Sequence, residues 1–281
     1  MPVIGLIQMS MTADRCENLD KAEAMIRDAA RDGAQIICLP ELFQTVFWCA
    51  FPGDLRYFEW AEPIPGPTVE RFQRVVRDCQ AALVLPLWEK VGRSVYYNSA
   101  VVLDADGTLL GTYRKNHIPL STTFNEKLYF KPGNLGYPVF ATRYGTVGVY
   151  ICHDRHYPEG ARCLALAGAD IIVIPTATNT ASLSGKVWEK ELMAHAIFNE
   201  VFVAGINRVG REVGPDDTQF DYYGRSVIVN AVGDILAQAG GEECALVCEV
   251  DWSEIDQRRI AWQFYRERRP ETYGLLTEFV P

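Results

Sequence analysis

Short apolar runs alternate with amphipathic stretches along the chain. Val3-Ile4-Gly5-Leu6-Ile7 predicts a strand, residues 17–31 a helix, and Ile36-Ile37-Cys38-Leu39 a buried strand, which together make the start of a β-α-β unit. A second helix is expected over 67–80 and a strand over 82–87. Strands over 97–103 and 108–113 follow, joined by Asp104-Ala105-Asp106-Gly107, whose Asp-Gly turn marks a hairpin.

The same order then recurs. Gly33-Ala-Gln-Ile-Ile-Cys-Leu-Pro40 matches Gly168-Ala-Asp-Ile-Ile-Val-Ile-Pro175 at five of eight positions, and the stretch from Tyr96 to Gly111 matches that from Tyr222 to Ala237 at six of sixteen. A Gly-containing strand precedes each copy, Ile4-Gly5-Leu6-Ile7 in one half and Val147-Gly148-Val149-Tyr150-Ile151 in the other. The chain reads as internally duplicated. Each half is then strand, helix, strand, helix, strand and hairpin, and helices must cover the apolar strands. Two mixed sheets stacked face to face with helices outside satisfy that demand. No Pro/Gly/Ser-rich linker divides the halves, so one domain over 1–281 is expected. Beyond Asp251 a charged and aromatic stretch of about 252–281 forms a C-terminal extension, either solvated or packed on a partner subunit.

Composition narrows the class of ligand. With 27 basic and 36 acidic residues the formal charge is −9, and no Lys/Arg cluster offers the concentrated positive field that nucleic acid or an anionic membrane needs. A small-molecule substrate is the remaining expectation. The first ten residues carry no export signal and no apolar run approaches the roughly 18 residues of a membrane span, which points to a reducing, cytoplasmic setting. The eight cysteines lack paired zinc-site spacing, so most are expected to be free packing thiols.

Ligands of layered α/β folds bind beyond the carboxyl ends of strands. Three such ends carry reactive groups: Glu41 after Ile36 to Leu39, Lys115 after the hairpin strand, and Cys152 after Val147 to Ile151. Singly, each is ordinary, since a strand-end cysteine is usually buried filler and most Glu and Lys residues are surface charge. Cys152 differs because His153-Asp154-Arg155-His156-Tyr157-Pro158-Glu159 follows at once, with Pro158 placed to start a helix. A strand-to-helix elbow there would aim the sulfur at a cleft and offer the His153 N–H as an oxyanion donor.

The segments Leu39-Pro40-Glu41-Leu42-Phe43, Tyr113-Arg114-Lys115-Asn116-His117-Ile118-Pro119 and Gly148-Val149-Tyr150-Ile151-Cys152-His153-Asp154-Arg155, in that order, resemble the three motifs of the nitrilase superfamily of carbon–nitrogen hydrolases. The resemblance runs over nearly the whole chain. It implies a four-layer αββα sandwich, in agreement with the duplication, and a homodimer or larger homo-oligomer. It also implies Glu41 as general base, Lys115 as the cation that stabilises the tetrahedral intermediate, and Cys152 as nucleophile, with neither metal nor organic cofactor. The segment from Phe124 to Gly133 resembles the family's loop with a second glutamate, so Glu126 would position Lys115 or the substrate amide. Tyr129 in that loop either lines the cleft or packs beneath it. His117 resembles a supporting position in the carbamoylase members, with local hydrogen bonds as its expected role.

Members of that family cleave nitriles, aliphatic amides, N-carbamoyl compounds or the amide of glutamine. The run from Cys152 to Glu159 resembles the β-ureidopropionase and carbamoylase branch, in which the arginine at the position of Arg155 binds a substrate carboxylate. A planar guanidinium suits bidentate binding of that group. The competing role for Arg155 is a structural ion pair with Asp154, Glu159 or a neighbouring helix. Thr176-Ala177-Thr178-Asn179 occupies the strand end equivalent to Glu41 in the second half, so Asn179 is expected to face the cleft. The expected activity is hydrolysis of an N-carbamoyl amino acid to amino acid, CO2 and ammonia. The alternatives are an aliphatic amidase, an N-carbamoylputrescine amidase, a nitrilase, or a noncatalytic scaffold.

Overall fold

The computed structural model describes residues 1–51, 53–121, 124–181 and 183–279, so the last two residues of the expected C-terminal extension lie outside it. The first half contains β1 (Val3–Gln8), α1 (Arg15–Arg31), β2 (Ile36–Cys38), α2 (Pro67–Cys79), β3 (Ala82–Lys90) and the hairpin β4 (Tyr96–Leu103) and β5 (Leu109–Arg114). A one-turn helix, α3 (Glu126–Tyr129), leads into β6 (Val139–Thr142). Then come β7 (Gly145–Val149), α4 (Pro158–Leu166), β8 (Ile171–Thr176), α5 (Ser184–Asn199) and β9 (Phe202–Asn207). The chain continues through a hairpin, β10 (Val209–Val213) and β11 (Gln219–Tyr223), to β12 (Val227–Val229), β13 (Ile235–Gln238), β14 (Cys244–Glu249) and α6 (Ser253–Ala261).

Two six-stranded sheets result, with orders β14-β1-β2-β3-β4-β5 and β13-β12-β9-β8-β7-β6. Read from the β14 and β6 edges, they have the same plan of two parallel pairings flanked by antiparallel ones. Even the register repeats. Gly5 pairs with Ile37 and Gly148 with Ile172, the positions that the sequence match equates. Both glycines let the chain close on its strand: a Cβ on Gly5 would lie 2.8 Å from the Cβ of Ala34, just past α1, and 3.6 Å from that of Ala29 on α1, and one on Gly148 3.2 Å from the Leu164 Cβ of α4.

Alternation within each strand builds the four layers. Ile4, Leu6, Ile36 and Val84 face inward and share one core with Val147, Val149, Ile171 and Val173 of the other sheet. Ile7, Ile37 and Leu83 face outward beneath Ile26 of α1 and Phe72 of α2. Both faces of the strands are therefore covered, which is why they read as unbroken apolar runs.

Two features lie outside the local pattern. The edge strands β6 and β14 have no counterpart in the sequence match, and β14 crosses from the end of the chain to pair with β1. The β10–β11 hairpin is inserted where the first half has only a tight connection. Past α6 the chain runs in short turns that leave Trp262, Leu275 and Phe279 exposed. Among the described residues no helix is long and apolar enough to cross a membrane.

Candidate active site

β2 delivers Glu41 to a turn at which Leu42 is left-handed, with φ 49°. The Glu41 carboxylate is fully buried. Its Oε1 accepts from Lys115 Nζ at 2.8 Å and from Asn98 Nδ2 at 2.7 Å, while Oε2 accepts the Ala177 N–H at 3.0 Å. Lys115 leaves the end of β5 and also donates to Glu126, at 2.8 and 2.7 Å from its two oxygens. Glu126 opens α3 and is fully buried, so it is no exposed partner of Lys127.

One cation therefore sits among two carboxylates with no solvent. Burial pulls the Lys115 ammonium down, but Glu126 and Glu41 outweigh it and hold the group well above its ordinary value, so Lys115 remains charged. Burial, reinforced by Glu41, pushes the Glu126 carboxyl up against the pull of Lys115 and Asn98. The three donor hydrogens of the ammonium meet three carboxylate oxygens, two of them on Glu126, so an oxyanion can be served by giving up one of the two Glu126 contacts.

Cys152 follows β7 and is itself left-handed, with φ 48°; it opens a 3-10 turn, Cys152–His156, before Pro158 starts α4. Asp154 fastens this elbow. Its amide donates to the Ile151 carbonyl at 3.0 Å and its Oδ2 accepts the Ile151 N–H at 3.1 Å and the Tyr113 hydroxyl at 2.7 Å. The other oxygen accepts the His117 amide at 2.8 Å and meets His117 Nδ1 at 2.7 Å. His117 also stacks on Tyr157 with ring centroids 3.7 Å apart.

Burial, then the negative charge of Glu41, pushes the Cys152 thiol up to about 12, against the pull of Lys115 and Arg155. At neutral pH the sulfur is protonated and needs a base at the moment of attack. The His153 amide lies at the start of the turn, where backbone N–H groups have no intrahelical acceptor, as an oxyanion donor requires. Its half-buried ring is held neutral, at about 3, by burial and then by the charge of Lys115.

Arg155 is buried under the elbow. Its Nη1 donates to the Cys152 carbonyl at 2.8 Å and stands 3.8 Å from the Cys152 sulfur, with the guanidinium 5.2 Å over Trp188. Its ion-pair partner is Glu191 of α5, at 3.1 Å from Nε, so of the three partners considered for a structural pair it is the neighbouring helix that supplies one. His156 Nδ1 shares that carboxylate at 2.7 Å. Glu191 keeps 23% of its side chain exposed, whereas the Arg155 side chain is 1% exposed, so only the carboxylate side of the pair faces outward.

Two expected binding residues make local packing and hydrogen-bond contacts. Tyr129 is buried in an aromatic cluster with Trp48, Phe58 and Trp88, and its hydroxyl accepts the Asp54 N–H at 2.9 Å. It packs beneath the loop. Asn179 is spent on local structure: its Oδ1 accepts the Ala181 N–H at 3.1 Å, and its backbone bridges to Tyr222 of β11. The sequence does not single out Asn98, Glu191 or the Ala177 amide, and it suggests Asp154 only as a partner of Arg155 rather than as the residue that fastens the elbow. Asn98 had a visible signal, a polar side chain inside the apolar strand β4.

The carbon-nitrogen hydrolase family model matches residues 3–260. The N-carbamoylputrescine amidase of tomato (Solanum lycopersicum) is 36% identical over 97% of this chain and 94% of its own length. The citrullinase of Francisella tularensis is 37% identical over 96% of each. The crystal structure of a carbon-nitrogen hydrolase from Helicobacter pylori G27 superposes with a TM-score of 0.94, at 31% identity, over 99% of both chains. This chain belongs to the carbon-nitrogen hydrolase family, the nitrilase superfamily.

Proposed function

We propose that this protein hydrolyses the terminal carbamoyl group of a ureido acid, R–NH–CO–NH2, in which R ends in a carboxylate, as in an N-carbamoyl amino acid. The supporting observation is the place of Arg155: a guanidinium nitrogen 3.8 Å from the Cys152 sulfur lies within one short substrate's reach of the thiol. Cys152 is the nucleophile, Glu41 the base, Lys115 the oxyanion cation and Glu126 its positioning residue. Glu41 takes the thiol proton as the sulfur–carbon bond forms, and the carbonyl electron pair moves to oxygen, held by Lys115 and the His153 N–H. The carbon–nitrogen bond then breaks and Glu41 returns the proton to the departing ammonia. Water, deprotonated by the same carboxylate, cleaves the R–NH–CO–S intermediate and restores the thiol. The carbamic acid released loses CO2 to leave the amine. One such oxyanion donor is worth about 3 kcal/mol of barrier.

Glu191 favours a second reading of the tail. A carboxylate beside Arg155 suits a substrate whose far end carries an ammonium as well, the zwitterionic head of an ω-ureido amino acid. Relatives named for N-carbamoylputrescine and for citrulline both point to ureido compounds. An ammonia-release screen over N-carbamoyl-β-alanine, D- and L-N-carbamoyl amino acids, citrulline, N-carbamoylputrescine, simple amides and nitriles tests both. Highest kcat/KM on the carboxylate-bearing ureido compounds supports the proposal, and citrulline foremost among them supports the zwitterion. Preference for N-carbamoylputrescine or for simple amides overturns it.

A further inference from the structure

Arg208 and Glu212 form an ion pair that the chemistry above does not use. Both are buried. Arg208 follows β9, Glu212 stands on β10, and the guanidinium is sandwiched between the rings of Phe47 and Tyr222, 5.4 Å from each. Besides Glu212, its Nη donors go to the other half. Nη2 donates to the carbonyls of Glu41 at 2.6 Å and Leu42 at 3.2 Å, and Nη1 to that of Thr45 at 3.2 Å. The free oxygen of Glu212 accepts the Phe47 N–H at 2.6 Å.

Four backbone groups of one turn, residues 41–47, are thus satisfied by one ion pair from the other half. That turn begins at Glu41 and holds Leu42 in the left-handed region, which is unfavourable for a residue with a side chain. Farther on, the same segment presents the Cys49 carbonyl to the Asn125 amide at 2.7 Å, next to Glu126. A buried ion pair is a poor source of net stability, because desolvation offsets its attraction, and fixing one arrangement is its best-attested use.

We propose that Arg208 and Glu212 are positioning residues, a clamp from the second half that holds the strained turn so that the Glu41 carboxylate meets Lys115, Asn98 and the Ala177 amide. This rests on the reading of Glu41 as base. The test compares wild type with R208A, R208K and E212Q, using the best ureido substrate. R208A lowers kcat about 100-fold while KM moves less than about threefold, since substrate contacts are untouched and the base is misplaced. R208K and E212Q fall between, and guanidinium chloride at sub-denaturing concentration restores part of the R208A rate. I26A, a cavity under α1, serves as the control for lost stability and keeps the wild-type kcat. A wild-type kcat in R208A, an equal loss in I26A, or a loss in KM alone overturns the clamp. If wild type releases no ammonia from any ureido compound, the reading of the base fails instead. Crystal structures of R208A and E212Q then decide for the clamp if the Glu41 carboxylate parts from Asn98 and Ala177, and against it if that carboxylate stays in place.

Discussion

The two halves repeat one scaffold but end their strands differently. In the first half β2 runs into Glu41, whose counterpart in the second half is Thr176; in the second, β7 runs into Cys152, whose counterpart in the first is Met9. The first half gathers its charges, Glu41, Lys115 and Glu126, into a cluster sealed from solvent. The second contributes the thiol and a pair in which Arg155 is buried and only Glu191 is partly exposed. In the proposed chemistry the sealed cluster acts on the reacting atoms, and the Arg155–Glu191 pair on the tail of the substrate. Changes in the first half should therefore act on kcat, and changes around Arg155 on KM.

The largest effects should come from removing the groups that meet across the halves. C152A and E41Q are each expected to lower ammonia release by at least about 10³-fold, with folding kept, as judged by circular dichroism. A C152A enzyme that retains its rate ends the assignment of the nucleophile. Next is K115M, which leaves two buried carboxylates without their cation. It should cost about 3–5 kcal/mol in urea unfolding in addition to a loss in kcat of about 10²-fold or more. Unchanged stability in that variant would mean that the cluster is less sealed than described.

Smaller effects belong to the second half. R155A should raise KM for carboxylate-bearing ureido compounds by tens of fold, about 2 kcal/mol for a charged hydrogen-bonded contact, and leave simple amides unaffected. E191Q should discriminate the tails, weakening only substrates with an ammonium. Equal losses on every substrate in both variants would erase the distinction between the halves. Because burial and Glu41 push the Cys152 thiol up to about 12, its alkylation by iodoacetamide should be slow at neutral pH and still be rising with pH well beyond the ordinary thiol range. A plateau near neutrality would indicate a preformed thiolate. The smallest effect concerns His153, held at about 3 in the fold against an ordinary 6.5. The unfolded chain takes up that proton first, so stability should fall as pH drops from about 6.5 toward 3, and H153Q should flatten that slope in thermal melts.

Much of this was legible in the sequence because it is local. Strand-end placement of Glu41, Lys115 and Cys152, the helix start at Pro158 and the duplication all follow from short-range pattern, and each stands where expected. What escaped depends on partners distant in the chain. β14 pairs with a strand more than two hundred residues earlier, and Arg208 reaches across the halves to the Glu41 turn. No local signal chooses Glu191 over Asp154 or Glu159 as the partner of Arg155, because the choice depends on how α5 packs against the elbow. Tyr129 and Asn179 carried side chains suited to a ligand, but an aromatic cluster and a loop turn claimed them first.

In the proposed reaction a thiol from the second half attacks while a base from the first moves the proton. Intact-protein mass spectrometry of wild type quenched during turnover of the preferred ureido acid tests it most directly. The account predicts an adduct equal to the substrate less ammonia, mapped to Cys152, absent from C152A and not formed at a catalytic rate in E41Q. Ammonia release at the wild-type rate with the adduct on another cysteine, or with C152A fully active, would contradict it.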